Sequence, residues 1–179
     1  TWTAVIQQVE AGRSDLDTDI NTYLDFEIPP AFGAPITVRN LMTHTPGFEE
    51  TAKAIMTSGD APQYTLEAAL KRWTPARVFP PGDIPAYSNY GAALAGYIVQ
   101  RVTGQRFEDY ARDHIFAPLG MTSATFAQPP SADRLARMSE GYSVASGPPK
   151  PLERIDLSPA GALTVSATDM GRFMIAHLD

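Results

Sequence analysis

Pro80-Pro81-Gly82-Asp83-Ile84-Pro85-Ala86-Tyr87-Ser88-Asn89-Tyr90-Gly91 is the stretch on which the reading of the whole chain turns. Its three prolines fix φ and stiffen the lead-in. From Tyr90 onward Leu94, Ile98 and Val102 recur every fourth residue, with Ala93 and Tyr97 widening the stripe, so a helix follows at once. Ser88 or Asn89 can cap its orphan amides. Tyr87 and Asn89 therefore share a rigid mount at a helix entrance. A phenol and a carboxamide two residues apart can meet one ligand together, the phenol exchanging a proton and the amide fixing orientation. The same pattern also fits a packed ring beside a helix cap.

Working outward, Gly91, Ala92, Ala95 and Gly96 are small enough for a neighbour to approach this helix closely, and Thr103-Gly104 ends it. Upstream, Thr65 opens a helix through Trp73 with Leu66, Ala69, Leu70 and Trp73 on one face. Residues 51–57 read as a weak helix broken by Ser58-Gly59-Asp60-Ala61-Pro62. Thr37 caps a short helix that begins at Val38 and ends near Thr43. It runs into His44-Thr45-Pro46-Gly47-Phe48, a proline and glycine turn in which His44 reads as a structural histidine bonding nearby backbone. Residues 1–12 have helical spacing at Trp2, Val5, Ile6 and Val9, with Gly12 as the stop and no cap in front, as in a helix that has lost its first turn.

Asp15, Asp17 and Asp19 alternate as in a calcium loop, but Ile20 and Phe26 occupy the positions that need a glycine and a carboxylate. They read as turn and cap residues, and no metal site is expected. Downstream, residues 106–114 form an amphipathic helix, 122–127 a short strand, and 128–152 an extended loop rich in proline, serine and glycine that is expected to roof a cleft. Ser166-Ala167-Thr168-Asp169 opens a last helix carrying Met170, Phe173, Met174 and Leu178.

The formal charge of −6 repels nucleic acid and anionic lipid, and the 14 Lys and Arg form no basic cluster. No nucleic-acid partner is expected. Zero cysteines exclude a thiolate nucleophile and a Cys-type zinc site. No run approaches the ~18 apolar residues of a membrane span.

Four separated stretches, taken together, resemble the serine β-lactamase and penicillin-binding-protein superfamily, in its class C β-lactamase-like and esterase or DD-peptidase branch. They are residues 36–47 (ITVRNLMTHTPG), Phe79-Pro80-Pro81-Gly82 leading to Tyr87-Ser88-Asn89-Tyr90-Gly91, Phe116-Ala117-Pro118-Leu119-Gly120-Met121, and Pro159-Ala160-Gly161-Ala162-Leu163. Pro46 and Ala162 depart from the usual Ser and Gly. The resemblance implies a mainly α chain, the helical lobe of the α+β β-lactamase/transpeptidase-like fold, with short strands and long Pro-rich loops. It implies one partial domain over 1–179, with the nucleophile segment before Thr1 and the rest of the sheet lobe after Asp179.

It further implies acyl-enzyme chemistry on a β-lactam, a D-amino-acid peptide or an ester, without a cofactor, in a periplasmic or other extracytoplasmic setting. Tyr87 would be the catalytic base or proton relay and Asn89 the substrate-binding amide, with Ser88, His44 and Gly161 as structural residues near the site. A phenol of ordinary pKa, near ~10, works as a base at neutral pH only beside a cation. That cation is expected from outside the chain, since no Ser-x-x-Lys occurs in it. The isolated chain is accordingly expected to be inactive. Self-association is expected through apolar residues, Trp2 and Val5 among them, that would face the missing lobe. The competing readings are a non-catalytic helical module that binds peptidoglycan-like peptides, and a purely structural helical domain with Tyr87 in its core.

Overall fold

The computed structural model describes residues 1–179 other than 52, 54, 58–61 and 179. Among the described residues the architecture is a cluster of helices around one long central helix, with a single two-stranded hairpin on the outside. In chain order the helices are α1 (Trp2–Glu10), α2 (Val38–Met42), α3 (Leu66–Arg72), α4 (Asn89–Thr103), α5 (Phe107–Ala111), α6 (Ala132–Leu135) and α7 (Ala167–Ile175). Short 3-10 turns cover Ile20–Thr22 and Ser158–Ala160, and α5 runs on into a wider π-type turn over Arg112–Phe116.

The sequence start and stop signals operate where they were read. Thr37 accepts the Asn40 amide while the Asn40 side chain accepts the Thr37 amide, a reciprocal cap. Thr65 caps α3 and Ser166 caps α7. Gly104 closes α4 at φ +71°, a conformation that glycine adopts without penalty. Asp15 and Asp19 accept the backbone amides of Asp17 and Asn21, which is the turn chemistry expected of them.

Helix α4 is the axis of the fold. Every residue from Tyr90 to Val99 is buried, more than its apolar stripe alone demands. It is surrounded by α1, α2, α3, α5 and the 158–160 turn, and it reaches water at Arg101, in its last turn. Gly96 permits the closest of these contacts: a Cβ there would lie 2.4 Å from Pro159 Cβ and Cγ. The core continues through Val5, Ile20, Leu41, Phe48, Leu70, Phe107 and Leu157.

Several expectations need correction. Val5 is 2% exposed and Trp2 packs against the core, so neither offers the bare apolar surface assigned to them. The period that places Val5 on the apolar face of α1 puts it in the core, on a helix packed against α4. Exposed apolar side chains lie at the other end of the chain, at Met174, Ile175 and Leu178 on and after α7, and at Leu135 on α6. Residues 122–127 form no strand; Thr125 alone pairs with Thr164, while Phe126 leaves the line to pack against Phe107 and Phe116. The described residues of 51–57 form turns and a bridge rather than a helix, because the Thr57 backbone pairs with Arg154. Ala52, Ala54 and the breaker at 58–61 lie outside the described residues. The 128–152 segment is not uniformly extended: it holds α6 and the hairpin β1 (Gly141–Tyr142) to β2 (Pro149–Lys150), with Gly141 opposite Lys150. Its hydrogen bonds reach Thr122, Ser123 and Ile155. No helix among the described residues is long and apolar enough to cross a membrane.

Candidate active site

The mount beneath Tyr87 is built by two segments zipped together. The 44–49 turn and the 76–86 lead-in exchange a ladder of backbone bonds: Glu49 N–H to Ala76 O at 2.8 Å, Val78 N–H to Gly47 O at 2.8 Å, Gly82 N–H to Thr45 O at 2.8 Å and Ala86 N–H to His44 O at 2.7 Å. Gly47 makes the approach possible. It sits at φ +77°, and a Cβ on it would stand 1.9 Å from Phe79 O. Proline therefore stiffens the lead-in, and these bonds hold it in place.

Ser88 caps α4. Its Oγ accepts the Gly91 amide at 3.0 Å, and the residue is wholly buried. This decides between the two candidate caps, and it leaves Asn89 free as the first residue of the helix. His44 is held at φ +54°, and its Nδ1 accepts the Ser88 amide at 3.3 Å. Its ring lies 4.8 Å from the Tyr87 ring and 6.3 Å, edge-on, from Trp2. The start of α1 is thus joined to the site through one imidazole.

Tyr87 is 61% exposed, which excludes the reading that puts it in the core. Its hydroxyl donates to Asn89 Oδ1 at 3.1 Å. Tyr90, three residues on, is the contrast. It is 1% exposed, its hydroxyl donates to Leu70 O at 3.1 Å, and burial pushes its pKa up to about 12. One tyrosine of the pair is sealed as packing, and the other presents its oxygen to solvent.

The other end of the Asn89 amide is also engaged, by a residue that sequence reasoning passed over. Asn89 Nδ2 donates to Glu50 Oε1 at 2.8 Å, and the Asn89 backbone N–H donates to Glu50 Oε2 at 3.3 Å. Phenol, carboxamide and carboxylate form one chain, which fixes the amide with Oδ1 towards Tyr87 and Nδ2 towards Glu50. Among the described residues no lysine or arginine pairs with any of the three. The signal in the sequence was slight: Glu50 is the second of two acids just after the His44 turn, 39 positions from its partner.

Gly161 is the one candidate the structure leaves apart. It follows the 158–160 turn in an extended conformation, bonded to Ser158 and facing Ile155. No hydrogen bond or ring contact among the described residues joins it to Tyr87 or Asn89. A cavity of about 580 Å³, lined by Gln63, Glu67, Gln100, Gln128 and Asp156 among others, also excludes Tyr87, Asn89 and Glu50 from its walls. Nor do the described residues contain a cluster of carboxylates and histidines that could hold a metal ion.

A family model described as Beta-lactamase matches residues 1–179. The chain belongs to the beta-lactamase family. Among its curated relatives, penicillin-binding protein 4 of Amycolatopsis lactamdurans is 31% identical over 195 residues, covering 100% of this chain and 48% of that protein. Monacolin J acid methylbutanoyltransferase of Aspergillus terreus is 32% identical over 159 residues, covering 78% of this chain and 38% of the relative. Among solved structures, an octameric penicillin-binding-protein homologue from Pyrococcus abyssi superposes with a TM-score of 0.74 at 26% identity, over 96% of this chain and 41% of that one. The chain thus spans less than half the length of these family members, and its fold is the helical part of theirs. The Tyr87-Ser88-Asn89 corner lies inside the matched region in each comparison that covers the whole chain.

Proposed function

We propose that this chain is the helical lobe of a serine hydrolase working through an acyl-enzyme, with Tyr87 as base or proton relay and Asn89 as the amide that orients substrate. The observation that carries this reading is the pairing of an exposed phenol with the Asn89 amide at 3.1 Å, on the rigid corner where α4 begins. An exposed hydroxyl with one acceptor can pass its proton along a short path, and a capped helix start holds it to a fixed position. His44 and Ser88 support that corner from beneath.

The attacking serine and its lysine belong to residues outside these 179, since none of the ten serines here is followed three places on by lysine. That lysine is the cation a phenolate needs. Substrates are small acyl compounds or peptides: β-lactams, D-amino-acid peptides or esters. The relatives named for penicillin binding and for methylbutanoyl transfer both handle an acyl group, which supports acylation as the common step. An extracytoplasmic location fits the penicillin-binding relatives.

In the full-length protein, Tyr87→Phe should lower kcat/KM by about 10²-fold, the usual scale for general acid and base help. Unchanged turnover would remove Tyr87 from the mechanism. The isolated chain should give no acylation burst with a chromogenic ester, penicillin or cephalosporin. A burst would show that the nucleophile is already present.

A further inference from the structure

We propose that His44 is a positioning residue that links the Tyr87–Asn89 corner to pH: as a neutral imidazole it holds the corner together, and as an imidazolium it releases it. The inference rests on the reading of Tyr87 as the proton-handling group. His44 Nδ1 accepts the Ser88 amide at 3.3 Å, and an imidazole nitrogen accepts only through a bare lone pair, so the ring hydrogen is on Nε2. The Ser88 amide has no second acceptor among the described residues, and Ser88 is wholly buried. Ser88 lies between Tyr87 and Asn89, and its hydroxyl caps α4. One bond to an imidazole therefore secures the backbone at the centre of the corner.

A second proton on the ring turns this acceptor into a donor. Two N–H groups then face each other, and the amide is left unpaired where water does not reach. The ring relieves the clash by turning away. It turns within close contacts, since its centroid is 4.8 Å from that of Tyr87 and 6.3 Å from that of Trp2. Movement of His44 is therefore passed to the phenol as well as to the backbone beneath it. The charged groups on the segments around the ring are Arg39 on α2, Glu49 and Glu50 after the turn, Arg77 and Asp83 in the lead-in, and the Thr1 amine at the head of α1. None forms an ion pair with the imidazole among the described residues: Arg39 is held by Asp17, and Glu50 faces Asn89. What protonation changes at His44 is thus the Ser88 bond.

His44→Asn is the discriminating change. Asparagine Oδ1 stands where Nδ1 stood, accepts the amide and does not titrate, and asparagine tolerates the φ of +54°. The measurement is kcat/KM of the full-length protein, wild type and variant, for a chromogenic ester between about pH 5 and 8, the range in which imidazoles change charge. Dividing wild type by variant cancels every titration that the two share. We expect the quotient to fall about fivefold towards acid along a one-proton curve, the scale of one lost hydrogen bond. In parallel, the Ser88 amide resonance of the wild type should move with the His44 ring resonances, a readout that needs no variant. A flat quotient, or a Ser88 resonance that stays put while His44 titrates, overturns the inference. A quotient that rises towards acid does so too, by making the imidazolium an aid to the phenolate. If Tyr87→Phe slows turnover while the quotient is flat, the hydrolase reading survives and this one falls. Turnover indifferent to Tyr87→Phe removes both.

Discussion

Gly96 on α4 and Pro159 in the following 3-10 turn touch so closely that a single methyl group on the glycine would stand 2.4 Å from two ring carbons. The contact binds the C-terminal third of the chain to the central helix. Thr1 reinforces it, its hydroxyl donating to Pro159 O at 2.6 Å. The start of α1, the middle of α4 and the 158–160 turn therefore meet at one point.

Replacing Gly96 by Ala should be destabilising even though alanine is the better helix former. The gain in propensity is about 1 kcal/mol, whereas forcing a methyl into a filled contact costs about 1–3 kcal/mol or more. The expected net loss is about 1–2 kcal/mol. Urea unfolding with an unchanged slope and a lower midpoint checks it.

Gly47→Ala should loosen the Tyr87 mount. The new Cβ would collide with the Phe79 carbonyl at 1.9 Å, and φ +77° is itself strained for alanine. Relief requires the 44–49 and 76–86 segments to part. Amide hydrogen exchange should quicken at Val78, Gly82 and Ala86, whose bonds span the two segments. Unaltered protection at these three amides would mean that the corner is held elsewhere.

Ser88→Ala should cost about 1–2 kcal/mol, because the Gly91 amide loses its only cap in a place that water does not reach. The His44 bond uses the Ser88 backbone and should survive the change. Thermal melts compared with those of Ser88→Thr, which restores a hydroxyl, separate lost capping from disturbed packing.

Asp169 should give the fold an acid-sensitive component. The Ser123 hydroxyl and then the Ser123 amide, both at 2.6 Å, hold its carboxyl below the ordinary 3.8, with Arg172 adding to the effect. A folded-state pKa below the unfolded one means stabilisation that is complete above the unfolded value, near ~3.9, and lost as pH falls through the folded value. The gap in melting temperature between wild type and Asp169→Asn should therefore be widest near neutral pH and close below about pH 4. A constant gap across that range would assign the effect to packing.

The local chemistry of this chain was legible because it is written in single residues at short spacing. Thr37, Thr65, Ser166 and Gly104 mark helix ends by what each side chain, or its absence, does to backbone a few positions away. The four-residue recurrence from Tyr90 to Val102 states its own period. The expectations that went astray involved partners distant in sequence: Val5 buried in the core, Thr57 drawn out to pair with Arg154, Phe126 pulled into a cluster of rings. Glu50 was invisible for the same reason.

By itself the sequence determined most of the helices, though not α6 or the absence of one among the described residues of 51–57, where most of them begin and end, that Tyr87 and Asn89 stand together at one such beginning, and which family's helical lobe this is. Propensity, capping and spacing act within a turn or two, so they need no knowledge of the fold. Only the tertiary structure decided that Tyr87 faces solvent while Tyr90 is sealed, that Ser88 and not Asn89 is the cap, and that a carboxylate from another loop takes the far side of the amide. Those outcomes depend on which surfaces meet across the chain, and that choice is made by packing the whole core at once.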